Sequence, residues 1–307
     1  MEDWLQPALR FLHYVLLLGL FGWAGFRSFG LRAAGWLSAE HGRTTTIIAA
    51  VLAPFVSTVL MLASIAAMMG QSLTELDWPM IEAMTLSTDL GWAFLTRTAL
   101  LVAGFAALIV GGKNAGLSIA AACFAAALMT LGWTGHAAAT EGALGLVHRI
   151  GNGVHLLAAG LWLGAIGWFV NLSAIAHCEP KSVPVAPLLA IMHRFAPFGI
   201  ALVAVVSITG LINAQLIFGL ENSAATLPTN YGLLLAAKIA IVGGMLAFGA
   251  HNAWISRRGV ATGQSAELSQ RAALSTLRRS LAFEMMLGVI VIGLVAVLGI
   301  LSPMLME

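Results

Sequence analysis

The chain has 307 residues, a formal net charge of +2, 60% hydrophobic and only 9% charged residues, and a mean hydropathy of +0.93. These proportions exclude a soluble globular domain and describe an all-α, polytopic integral membrane protein. They also exclude nucleic acid as a partner, because the few basic residues sit at segment ends rather than in one electrostatic patch.

Eight apolar stretches follow one another, near 7–30, 46–69, 90–112, 117–136, 144–174, 187–218, 230–255 and 278–302. Each is long enough to cross a hydrocarbon core of about 30 Å at about 1.5 Å per residue. The N-terminus Met1-Glu2-Asp3-Trp4 lacks a basic region and the first run is too long for a signal peptide, so it reads as a retained span carrying His13. Span 2 ends in Met68 and Met69, and the acidic connection after it holds Met80 and Met84. Span 3 carries Arg97, and span 4 carries Met129 and closes on Gly132-Trp133-Thr134-Gly135-His136. Span 5 has His148, His155 and Gly160-Leu161-Trp162-Leu163-Gly164. Span 6 has His193-Arg194 and Pro197, span 7 has Lys238 and His251-Asn252, and span 8 has Glu284. Met304 and Met306 follow it. The chain reads as a single membrane domain over 1–307, with spans 1–4 within about 1–140 and spans 5–8 within about 144–303.

Charge sets the expected orientation. The connections after spans 1, 3, 5 and 7 contain Arg32, Arg43, Lys113, Lys181, Arg257, Arg258 and Arg271. The alternate connections, around 70–89, 137–143 and 219–229, have no Lys or Arg and carry Glu75, Asp77, Glu82, Glu141 and Glu221. The positive-inside rule makes the first set cytoplasmic and puts both termini on the periplasmic side of a bacterial inner membrane. Trp4, Trp78, Trp92 and Trp133 then fall at the outer boundary, with Trp36 and Trp254 at the inner one.

Ionisable groups at membrane depth need a reason. His136 and His148 come to similar outer depth across a short connection. His155 lies on the same helical face as His148 but roughly 10.5 Å deeper by helical rise, which suggests two stations. His13 and Met129 come to the depth of His155 and complete the candidate deeper station. Imidazole with thioether suits copper, Cu(I) above all, better than hard cations. Met68, Met69, Met80 and Met84 are candidates for outer capture, although methionine is also an ordinary apolar filler. The two cysteines, Cys123 and Cys178, make no Cys-x-x-Cys motif.

A second layer near the inner boundary comprises His193, His251 and Glu284, a candidate metal or proton site. Its bland alternative has the histidine and arginine side chains snorkelling to the interface and Glu284 pairing with Arg194, Arg278 or Arg279. Pro197 would free the carbonyl oxygen of His193. Arg97 and Lys238 are buried cations requiring a carbonyl, a carboxylate or an anion. His41 and His177 read as solvated loop residues.

The chain resembles the copper resistance protein D family of bacterial inner-membrane proteins. The resemblance is carried by His155-Leu-Leu-Ala-Ala-Gly-Leu-Trp-Leu-Gly164, Arg194-Phe-Ala-Pro-Phe, Thr209-Gly-Leu-Ile-Asn-Ala214, Tyr231-Gly with Lys238, His251-Asn252, Leu277-Arg-Arg-Ser-Leu-Ala-Phe-Glu284 and Leu90-Gly-Trp-Ala-Phe-Leu-Thr-Arg97. It implies an eight-span protein of copper homeostasis that moves copper across the inner membrane or into the cytoplasm. It also implies a small periplasmic copper carrier of the copper resistance C family as partner. Some relatives carry that protein as a fused domain, whereas here it is expected to be separate.

Other classes stay open. Paired histidines on membrane helices also hold b-type haem, and His13 with His155 and His193 with His251 would make a di-haem protein of the cytochrome b561 kind. A scaffold without a ligand is a third possibility, and Gly160-x-x-x-Gly164 would serve helix packing in all three. No phosphate loop, nucleotide-sized soluble domain or intramembrane Cys pair is present, so no ATP-driven pump and no enzymatic activity is expected.

Overall fold

The computed structural model describes residues 4–302 apart from 33, 39, 40, 113, 180 and 261–265, and backbone alone at 258–260, 266 and 267. Its α-helices run in the order α1 Leu5–Phe29, α2 Arg43–Met69, α3 Trp78–Ser87, α4 Asp89–Val110, α5 Ala115–Met129, α6 Gly142–Cys178, α7 Val185–Phe218, the four-residue α8 Ser223–Thr226, α9 Asn230–Val260 and α10 Ala266–Leu298. All except α3 and α8, with α5 continued by the turn to Trp133, are long and apolar enough to cross a membrane, giving the eight expected spans of a multi-pass membrane protein. Several boundaries differ from the hydropathy reading, with α5 ending at Met129 and α9 running on to Val260. α6 runs on to Cys178, and α10 begins at Ala266, because the polar residues before 278 continue the helix beyond the apolar stretch. At 37 residues, α6 is about 55 Å long, well over the thickness of a hydrocarbon core.

One face of the bundle carries the start of α1, α3, the tight turns over 130–141 and the 219–229 segment. It is called the acidic face here, and the opposite one the basic face. α1 occupies the middle and packs on α2, α5, α6 and α10, while α9 is held between α7 and α10. Small residues permit the closest crossing. A Cβ built on Gly22 of α1 would collide with the Gly160 carbonyl oxygen and lie 2.9 Å from the Gly164 Cα, so the α1 and α6 backbones touch directly.

Toward the basic face, Trp168 of α6 is fully buried, stacks on Trp23 with ring centroids 4.0 Å apart, and donates its indole N–H to the Trp23 carbonyl at 2.9 Å. Trp168→Ala removes both the stacking and the filled volume, and a loss of about 3–5 kcal/mol is expected. Thermal unfolding of the detergent-purified variant, followed by size-exclusion chromatography, measures it.

Two connections are more ordered than their polarity suggests. The segment after α1 folds back on the bundle and buries Leu31, Ala34 and Leu37. His41 is consequently not solvated: its Nε2 shares a 2.8 Å hydrogen bond with Asn171 Oδ1, and its ring lies beside Trp168. In the acidic connection, Asp77 caps α3 by accepting from the Met80 amide at 3.2 Å, with Pro79 at the start of the helix.

Candidate functional site

Polar residues recur at helical spacing on three apolar helices: His148, Asn152 and His155 on α6, Thr209 and Asn213 on α7, and Tyr231 and Lys238 on α9. Residues three, four or seven apart share a helix face. All but Thr209 line a single cavity of about 210 Å³ that opens toward the acidic face. His136, delivered by the turn Gly135–Ala139, and Arg10 and Tyr14 of α1 complete its polar wall. The entrance pair His136 and His148 and the deeper His155 thus belong to one chamber.

Each imidazole is held by a hydrogen bond from one nitrogen. His155 Nδ1–H donates to the Val206 carbonyl at 3.1 Å, with the Thr209 oxygen at 3.0 Å. The Thr209 hydroxyl proton is committed to the Val205 carbonyl at 2.6 Å, so its oxygen serves His155 as an acceptor. This fixes the tautomer with the lone pair on Nε2. His136 Nε2–H donates to the Leu298 carbonyl at 3.2 Å, so in the neutral ring the lone pair is on Nδ1. An imidazole tied to a carbonyl through one nitrogen is the usual state of a metal-ligating histidine. His148, almost fully buried, shares a 2.8 Å hydrogen bond between Nδ1 and the Thr140 hydroxyl. Among the described residues, no three His, Cys, Asp or Glu side chains converge closely enough to hold one ion.

The expected deeper station does not assemble. His13 faces α2, where its Nε2 shares a 2.7 Å hydrogen bond with Ser57 Oγ, and it lines a second cavity with Arg97 rather than the chamber of His155. The Met129 sulfur packs against Gly153 of α6 and lines neither cavity. Arg97, also buried, donates from Nε to the Thr130 hydroxyl at 3.1 Å, which passes its proton to the Ala127 carbonyl at 2.7 Å. A hydroxyl, not a carboxylate, is therefore the partner of this cation.

The methionines divide. Met69 and Met84 pack on the small apolar cluster of Met61, Ile65 and Ile81, which joins α2 to α3. Met68 and Met80 are exposed, and Met68 lines the cavity of His13. Met304 and Met306 lie outside the described residues.

The inner layer also separates. Glu284 is buried and accepts from the Asn252 amide at 2.9 Å. Both line an apolar cavity of about 300 Å³ with Trp162 and Met192. His193 and His251 are exposed, His251 lies against the half-exposed Trp254, and neither histidine lines that cavity. Paired imidazoles for haem are therefore not formed: His13 and His155 line different cavities, and His193 and His251 line none of those described.

Sequence reasoning missed Arg10, Tyr14, Asn152, Asn213 and Tyr231 as parts of the chamber wall. The available signals were the i, i+4 polar pairs on α6 and α7, and an arginine near the start of a span on the side the positive-inside rule leaves poor in Lys and Arg.

Comparison with known proteins shows which family the chain belongs to. The family described as copper resistance protein D-like, N-terminal domain, matches residues 1–146, and the copper resistance protein D family matches residues 189–298. The chain is 34% identical to copper resistance protein D of Pseudomonas syringae pv. tomato, over 99% of its own length and 98% of that relative's. It is 26% identical to the inner membrane protein YebZ of Escherichia coli (strain K12), over 76% of this chain and 78% of the relative. No solved structure matches. With similarity running over nearly its entire length, the chain belongs to the copper resistance protein D family.

Proposed function

We propose that this protein takes up Cu(I) in the chamber lined by His136, His148 and His155 and moves it across the bacterial inner membrane toward the cytoplasm. One observation carries the reading: the three imidazoles line one cavity, and in two of them a backbone carbonyl holds one nitrogen and leaves the other a lone pair. Imidazole nitrogen is an apt ligand for copper. Membership of a copper resistance family and the name of the relative from Pseudomonas syringae support copper as the cargo. The acidic face, poor in Lys and Arg, is the periplasmic one by the positive-inside rule, so the chamber opens outward and both termini face the periplasm. Copper reaches it from a separate periplasmic carrier of the copper resistance C family, the partner the family resemblance implies. Release uses the cavity of Glu284 and Met192 rather than the exposed His193 and His251.

The test is metal content with an absorption spectrum on purified protein loaded with Cu(I) under reducing conditions. Stoichiometric copper without a Soret band is expected. A Soret band with no retained copper would replace this reading with the haem one.

A further inference from the structure

The chamber has the charge balance of an anion site. Arg10 and Lys238 line it, and no Asp or Glu among the described residues does. Arg10 Nε is buried without a hydrogen-bond partner, and Nη2 reaches the Tyr14 hydroxyl at 3.5 Å, the limit of a hydrogen bond. Lys238 has no hydrogen bond or ion pair among the described residues and lies within electrostatic range of His155. Asn213 Oδ1 is also buried and unbonded in the same wall. A bare cation entering here would meet two basic side chains in a partly enclosed space, where repulsion is screened less than in bulk solution.

We propose that the species admitted is an anionic Cu(I) complex carrying two monovalent halide anions, and that Lys238 and Arg10 hold the anion that stays with the metal. This rests on the reading of the chamber as a copper site. Capture is a ligand exchange: [CuX2]⁻ meets the Nε2 lone pair of His155, one Cu–X bond breaks, one Cu–N bond forms, and X⁻ departs with its electron pair. Copper remains Cu(I), and no proton or electron is transferred. The product, neutral in copper and its remaining anion, sits beside the cations without adding charge.

The experiment uses the full-length protein in lipid nanodiscs, with Cu(I) affinity measured by competition against a chromophoric chelator while nitrate is replaced by chloride at constant ionic strength. Chloride ties up bare Cu(I) in solution, so a site for the naked ion loses apparent affinity as chloride rises. The wild type is expected to hold or gain affinity, Lys238→Gln to lose roughly tenfold in chloride relative to nitrate, and Lys238→Arg to behave as the wild type. The inference is overturned if wild type and Lys238→Gln weaken equally with chloride, or if Lys238→Arg loses copper, which would make Lys238 an amine ligand. Wild-type protein that binds no Cu(I) in either salt would overturn the copper reading itself. Binding that is indifferent to the charge at 238 would sink the anionic complex alone.

Discussion

His155→Ala is expected to weaken Cu(I) binding by roughly 100-fold or more without unfolding the protein. His155 is the imidazole most firmly committed to a ligand tautomer, since a backbone carbonyl and the Thr209 oxygen both accept from Nδ1. The alanine removes a donor atom from the chamber and leaves the Thr209 hydroxyl bonded to Val205, so no buried group is stranded. Thr209→Val keeps the ligand but loosens its orientation, and partners of this kind are worth about 10–100-fold in metal affinity. His193→Ala and His251→Ala, both at exposed positions, are expected to bind as the wild type does. Chelator competition on the four purified variants measures the order. Equal affinity of His155→Ala and wild type would remove His155 from the copper path.

Gly164→Leu is expected to destroy the folded bundle. A Cβ on Gly164 would meet the Gly22 carbonyl group and come 2.5 Å from the Gly22 Cα, all main-chain atoms that have no rotamer to yield. Overpacking into flexible side chains costs about 1–3 kcal/mol, and a backbone obstacle exceeds that range by forcing α1 and α6 apart. Because α1 contacts four other spans, its displacement reaches across the molecule. Gly19→Ala, on the same helix but with nothing within 4 Å of the added carbon, is expected to be tolerated or slightly stabilising. The two variants, compared for monodisperse yield and melting temperature, separate a local collision from a general need for glycine.

The eight spans were legible because hydropathy and length alone decide them, and His136, His148 and His155 stood out as candidates because ionisable residues are rare in this composition. Which helices adjoin was not. His13, Met129 and His155 share a depth by residue counting, but α1 turns His13 toward Ser57 of α2 and Met129 is spent filling the gap over Gly153. Depth is one coordinate, and the angle around the helix is set by tertiary packing. Helix α3 had a readable start in Asp77 and Pro79, masked by the expectation of a loop. His41 is drawn in by Asn171, 130 residues away, a pairing with no local signature.

Helix α6 passes both chambers, and adjacent residues divide them: Leu163 faces the histidine-lined cavity, while Trp162 faces the one holding Glu284. Leu163 also fills the space above Gly288 of α10. The two cavities are thus lined by consecutive residues of one helix. A single peptide unit of α6 therefore contributes to the walls of both cavities, and a shift of the helix at this level reshapes the two together.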